Sequence, residues 1–163
     1  MSSTPVPPFP AADHDHGDCV ADALARAERL SRERGVRLTP QRRRVLELVW
    51  QSHRPAKAYD LIQALSSAQR PVAPPTVYRA LDFLIAEGLV HRLESRNAFV
   101  GCAAPERRHA GQFLICTGCE AVAELNDPEV DRLLCERAAD LGFRLRHQTV
   151  ELAGLCPQCT AAG

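Results

Sequence analysis

Apolar positions in the first hundred residues recur first at helical spacing and then in alternation. Between positions 18 and 34, Val20, Leu24, Ala27 and Leu30 fall on one helical stripe, which predicts an amphipathic helix stopped by Gly35. Thr39-Pro40 supplies a cap and a proline at the first helical position. The helix it opens reaches about Gln51 and turns Val45, Leu46, Leu48 and Val49 towards a core. A third helix is predicted over 58–68, with Tyr59, Leu61, Ile62 and Leu65 inward. Pro71, Pro74 and Pro75 form a stiff connection into a helix over 76–87, closed by Gly88. Residues 89–94 and 98–102 then read as strands around the turn Ser95-Arg96-Asn97. Helices followed by a hairpin is the order of a winged helix-turn-helix. Its last helix before the wing is the one that enters a DNA major groove.

The pattern changes after position 103. Residues 112–116 and 121–125 read as short strands around a Cys-rich turn. Asp127-Pro128 opens a helix to Leu141 with Val130, Leu133, Leu134, Ala138 and Leu141 periodic, and Gly142 ends it. Residues 143–152 alternate as a strand. A domain this small has a marginal core and needs a staple or a partner. Prolines at 5, 7, 8 and 10 keep 1–17 out of a helix and predict a disordered tail, which carries His14 and His16. The expected organisation is α+β: a tail over 1–17, a winged-helix domain over 18–102, a linker over 103–111, and a small α/β domain over 112–163.

Charge sharpens this division. The 163 residues carry 20 bases and 20 acids, a formal sum of zero that argues against nucleic acid only if the charge is evenly spread. It is not. Residues 1–25 hold four acids and no base, 26–96 hold 14 bases against 7 acids, and 97–163 hold 6 bases against 9 acids. The winged-helix stretch is therefore at +7, the kind of asymmetry that points to nucleic acid. All but one of the bases are Arg, suited to bidentate phosphate and guanine contacts; Arg42, Arg43, Arg44 and Arg79 lie in this stretch. No apolar run approaches the ~18 residues of a membrane helix, and no secretory signal is evident, so a cytoplasmic location is expected.

Two CxxC pairs, Cys116-Thr-Gly-Cys119 and Cys156-Pro-Gln-Cys159, carry the sharpest chemistry. Each spacing turns two thiolates onto one ion, and four complete a closed tetrahedral zinc site. Two disulfides or a redox motif are the alternatives. Disulfides suit a secreted chain, and a thioredoxin-like motif needs a βαβ context. The 36 intervening residues would hold the predicted helix and strand, so that the metal pins the domain's end to its start. A second constellation, His91, Cys102, His109 and Glu124, spans the junction of the basic half and the zinc domain. One thiolate, two imidazoles and one carboxylate suit Zn²⁺ and disfavour Mn²⁺ and Mg²⁺. Cys135 falls on the periodic helix as core or interface, His147 on a strand as structural, and Cys19 has no assigned role.

The strings Arg37-Leu-Thr-Pro-Gln-Arg42 and Pro75-Thr-Val-Tyr-Arg-Ala-Leu-Asp-Phe-Leu84, with the two CxxC pairs, resemble the ferric uptake regulator superfamily. Val90-His91 and Leu145-Arg-His147 bring the resemblance nearest its zinc uptake regulator branch. It covers roughly residues 20–160. The resemblance implies an N-terminal winged helix joined to a C-terminal dimerisation domain, and a metal-dependent repressor. Carried over by position, Cys116, Cys119, Cys156 and Cys159 match the structural zinc ligands. His91, Cys102, His109 and Glu124 match the regulatory zinc set, giving two Zn²⁺ per chain. Thr76, Tyr78 and Arg79 fall on the helix whose Tyr78 and Arg79 positions approach DNA. The stretch Arg107-Arg-His-Ala-Gly-Gln-Phe113 keeps one histidine, His109, where many iron-type relatives carry a His-rich run, which favours zinc over iron.

The expected function is a zinc-responsive repressor of zinc-uptake genes, a homodimer on double-stranded operator DNA with no membrane and no small-molecule substrate. The alternatives are the same fold sensing Fe, Mn, Ni or peroxide and, more remotely, a zinc-ribbon interaction module without DNA binding. An enzyme is not expected: the H-x-E and P-C-x-x-C halves of the zinc deaminase signature are both missing. A catalytic zinc also keeps a position for water, whereas each donor set here offers four ligands.

Overall fold

A computed structural model of the chain describes Phe9 and residues 15–67 and 70–162. Most of the tail expected over 1–17, including His14, lies outside the described residues, as does Ala68. The chain divides into two compact units, Pro10–Arg108 and His109–Gly163.

The first unit opens with α1 (His16–Glu33). The helix starts two residues before the position expected from the apolar stripe because Asp15 caps it, its carboxylate accepting from Gly17 N at 2.8 Å. Leu24, Ala27 and Leu30 are buried. The second helix, α2 (Pro40–Trp50), begins at the Thr39-Pro40 signal, with Thr39 Oγ1 accepting from Arg42 N at 3.3 Å. Next, α3 (Ala58–Leu65) is shorter than expected, and α4 (Pro74–Ala86) follows. The inward assignment of Tyr59 is corrected. Leu61 is buried, but Tyr59 is 68% exposed and its hydroxyl accepts from Gln63 Nε2 at 3.0 Å. Positions 59 and 61 are about 200° apart around a helix, so only one of them can face the core.

The wing is β1 (Val90–Leu93) and β2 (Ala98–Gly101), antiparallel with Val90 opposite Gly101 and Leu93 opposite Ala98. Ala56, just before α3, adds a third partner, exchanging two 2.8 Å backbone hydrogen bonds with Phe99. Gly101 is fixed by close approach, since a Cβ there would fall inside the Trp50 indole. The first six residues of the expected 103–111 linker belong to this unit and lie along α1, where Arg26 Nη1 donates to Ala103 O at 2.9 Å.

In the second unit, β3 (Gly111–Cys116) is central in a sheet of order β4-β3-β5, with β4 (Val122–Glu124) antiparallel and β5 (Thr149–Gly154) parallel to it. The crossover that parallel pairing requires is α5 (Pro128–Asp140). Gln112 on β3 is 1% exposed, and its amide is satisfied by α5's start: Nε2 donates to Asp127 O at 2.9 Å and to Asp131 Oδ1 at 2.5 Å. The strand expected over 143–152 begins instead at Thr149. β3 offers six residues, and the register from Gly111–Thr149 to Cys116–Gly154 uses all of them. A short helix, α6 (Pro157–Ala162), follows unannounced by any apolar period. None of α5 is buried: Leu133 and Leu134 are 49% and 39% exposed, and just past the helix Leu141 and Phe143 are 86% and 63% exposed. No helix among the described residues is long and apolar enough to cross a membrane.

Candidate metal centre and nucleic-acid interface

Parallel pairing builds the cysteine centre. Strands β3 and β5 run the same way, so the segments that leave them emerge at one edge of the sheet, with Cys116 opposite Gly154. Thr117 N donates to Gly154 O at 2.7 Å and holds the two exits together. Cys116 and Cys119 follow one strand, Cys156 and Cys159 the other, and the four sulfurs all lie within 4.8 Å of one another. The Sγ atoms of Cys119 and Cys156 are 3.8 Å apart. A tetrahedron with Zn–S of about 2.3 Å has an edge of about 3.8 Å, so the set fits zinc. A Cβ at Gly118 would stand 3.0 Å from Cys159 Sγ, which explains the glycine inside the first pair.

Backbone donors prepare the sulfurs for charge. N–H groups of Cys119 and Cys156 point at Cys116 Sγ at 3.5 and 3.3 Å, and that of Cys159 at Cys156 Sγ at 3.4 Å. Those two donors hold the Cys116 thiol down at about 6. Cys159 is pushed up to about 12, first by its hydrogen bond with Cys156 and then by those with Cys116 and Cys119. The metal-free cluster therefore keeps protons that a divalent cation would displace.

The other four expected ligands fall as two pairs, one in each unit. His91 is half-buried on β1, and Cys102 is buried directly after β2, its N–H donating to Leu89 O at 3.0 Å. Their ligand atoms lie within 4.8 Å of each other. In the second unit His109 Nε2 is hydrogen-bonded to Glu124 Oε1, with side-chain exposures of 8% and 6%. Each pair offers two donors and is buried enough for zinc to be held away from bulk water.

The basic unit presents α4 with Tyr78 and Arg79 side by side and exposed, Arg79 Nε donating to Pro75 O at 3.3 Å, and Thr76 half-buried behind them. The three arginines of α2 have partners within their own unit. Arg42 lies 3.6 Å over the Phe83 ring and donates to Arg37 O at 2.6 Å. Arg43 pairs with Glu28 at 2.9 Å and Arg44 with Glu47 at 2.7 Å, both largely exposed. Tyr59, assigned to the core from its spacing, stands out on α3 as a solvent-facing aromatic of the same unit. An aromatic one position off the apolar stripe was the signal for it.

The remaining candidates are quiet. Cys135 is exposed, its thiol 3.9 Å from Gln148 Oε1, so the core assignment fails and the interface one stands as an expectation. His147 Nε2 meets Thr149 Oγ1 at 3.0 Å. Cys19 is half-buried, its thiol pushed up by burial and then by Asp22, Asp18 and Asp15. His16 is not in the tail but in the first turn of α1, its ring 4.4 Å from that of His53.

Comparison with known proteins agrees with this architecture. The chain is 43% identical over 139 residues to the zinc uptake regulation protein of Escherichia coli (strain K12), covering 85% of this chain and 81% of that protein. A solved zinc uptake regulator complexed with zinc and DNA superposes with a TM-score of 0.82 at 42% identity, covering 88% of this chain and 96% of that one. A holo XcZur crystal structure superposes at 0.79 with 48% identity, covering 86% and 98%. Residues 33–153 match the ferric uptake regulator family, to which the chain belongs.

Proposed function

We propose that the protein is a zinc-responsive DNA-binding repressor of zinc-uptake genes that acts as a homodimer and holds two zinc ions per chain. One observation carries the reading. The closed four-cysteine set is accompanied by two incomplete donor pairs, His91 with Cys102 and His109 with Glu124, in the two units of a chain similar to a zinc- and DNA-bound regulator. Neither pair alone satisfies a four-coordinate ion. Together they supply the regulatory set, with Cys102 providing the sulfur that selects zinc over harder cations. Zinc bound there supplies a cross-link between the winged-helix unit and the C-terminal unit.

The residues of the chain do the rest. Cys116, Cys119, Cys156 and Cys159 hold the C-terminal fold independently of the response. The exposed Leu133, Leu134, Leu141 and Phe143 supply the apolar surface for a second copy. Tyr78 and Arg79 on α4 read bases, with Arg42, Arg43 and Arg44 the more committed to their own fold. Two copies would then present two α4 helices to successive major grooves. Because zinc and DNA favour the same state, each tightens the other by the same factor.

The test is operator binding against buffered free Zn²⁺, Fe²⁺, Mn²⁺ and Ni²⁺. His91→Ala and Cys102→Ser should leave a folded dimer whose binding no longer responds to zinc. A full zinc response in either variant, or tight binding with iron alone, overturns the reading.

A further inference from the structure

The segment 103–108 follows Cys102 directly and leads into His109. It is the stretch of chain between the two donor pairs, and it contains no helix or strand. Three arginines of α1 and its cap hold it in place. Arg26 Nη1 donates to Ala103 O at 2.9 Å, one residue beyond Cys102. Arg29 Nη2 meets Glu106 Oε1 at 3.1 Å, an exposed pair of little energetic weight. Arg34, the residue that closes α1, is different. Its Nη2 donates to Pro105 O at 2.9 Å while its Nη1 donates to the backbone carbonyl of Glu87, with the Glu87 carboxylate 3.5 Å away.

Glu87 is the C-cap of α4. One guanidinium therefore spans from the connecting segment to the end of the helix that carries Tyr78 and Arg79. Its side chain is 33% exposed and that of Glu87 20%, so the bonds are partly shielded from water. The guanidinium reaches the two carbonyls from two different nitrogens held in one plane, whereas a lysine ammonium would have to reach both from a single nitrogen on a more flexible stem. A second tie reinforces the first, since Cys102 N donates to Leu89 O, which lies just past α4.

We infer that Arg34 is a positioning residue for the metal response, coupling the segment between the donor pairs to the recognition helix. The inference rests on the reading of His91, Cys102, His109 and Glu124 as the regulatory set. Ordering of 103–108 by ligands at either end is passed through Pro105 and Arg34 to α4.

The readout is the ratio of operator affinity with and without regulatory zinc. It is measured on full-length protein that retains its cysteine-bound zinc, using a duplex selected from a random pool by the zinc-loaded wild type. Arg34→Ala is expected to shrink that ratio by about fivefold or more, with zinc content and unfolding midpoint close to wild type. Arg34→Lys should recover little of the loss. Arg26→Ala should move the ratio in the same direction, and Arg32→Ala, on the exposed side of the same helix, should leave it unchanged. Equal weakening of both affinities, which leaves the ratio intact, would identify Arg34 as a DNA contact or a mere stabiliser and overturn the inference. So would full rescue by lysine. His91→Ala, run in parallel, separates the two levels. If that variant keeps the wild-type ratio, the reading of the regulatory set fails; if it loses the ratio while Arg34→Ala keeps it, only the role of Arg34 fails.

Discussion

Four thiols crowded within a few ångströms cannot all titrate as isolated groups, and the backbone decides which ionises first. Two N–H donors converge on Cys116, whose thiol is held down at about 6. This has a sign in each state. In the metal-free protein Cys116 contributes stability that is fully present above about 9, diminishes as the pH falls, and is gone below about 6. In zinc loading, a thiol already ionised at pH 7 has no proton to give up, so fewer than four protons should leave per ion bound. The count should rise by about one as the pH is lowered through about 6. Calorimetry in buffers of different ionisation enthalpy reads this directly, and a count that stays constant across that window contradicts the assignment of Cys116. That two cysteine pairs would converge was legible from the CxxC spacings, and their four sulfurs lie within 4.8 Å of one another. Which sulfur receives the N–H donors was not, because that follows from the turn geometry after β3.

Among the elements, signals that act within one turn were legible, and those set by a partner strand were not. Thr39-Pro40 marked α2 because a cap acts on its own first turn, whereas β5 was misplaced because its length is set by a partner strand. Alternation from position 143 looked like a strand, yet β3 has only six residues to pair with. The fit between α2 and β2 was equally invisible in sequence. Gly101 read as an ordinary strand residue, but the Trp50 indole occupies the space of its missing side chain. Gly101→Ala should therefore destabilise the winged-helix unit by about 1–3 kcal/mol, the usual range for overpacking. Trp50 is the sole tryptophan, so its emission should shift in the same variant. Unchanged unfolding and unchanged emission would mean that the ring swings aside without cost.

At the scale of the whole molecule, α5 is amphipathic by sequence and yet contributes nothing buried. The periodicity predicted over 128–141 is real, but among the described residues it leaves Val130 and Ala138 half-buried and Leu133 and Leu134 exposed. Just past the end of α5, Leu141 and Phe143 are 86% and 63% exposed. Leu141→Asp combined with Phe143→Asp should yield a monomer in sedimentation that keeps its cysteine-bound zinc and loses tight operator binding. A variant that remains dimeric would place the self-association surface elsewhere. Charge was the other property visible only on dividing the chain. The zero net charge conceals the basic unit that carries α4, as the segment sums indicated.

The parallel pairing of β3 with β5 has a consequence for how the protein is made. The two halves of the cysteine centre are 37 residues apart at their closest, from Cys119 to Cys156, and a helix must form between them. A chain still being synthesised beyond β3 holds only two of the four sulfurs, too few for a closed site. Long-range pairing of this kind is slow relative to local structure, because loop closure precedes any contact that rewards it. On the proposed zinc reading, metal capture at this centre would therefore be a late event that certifies a completed sheet, not a nucleus from which the sheet grows.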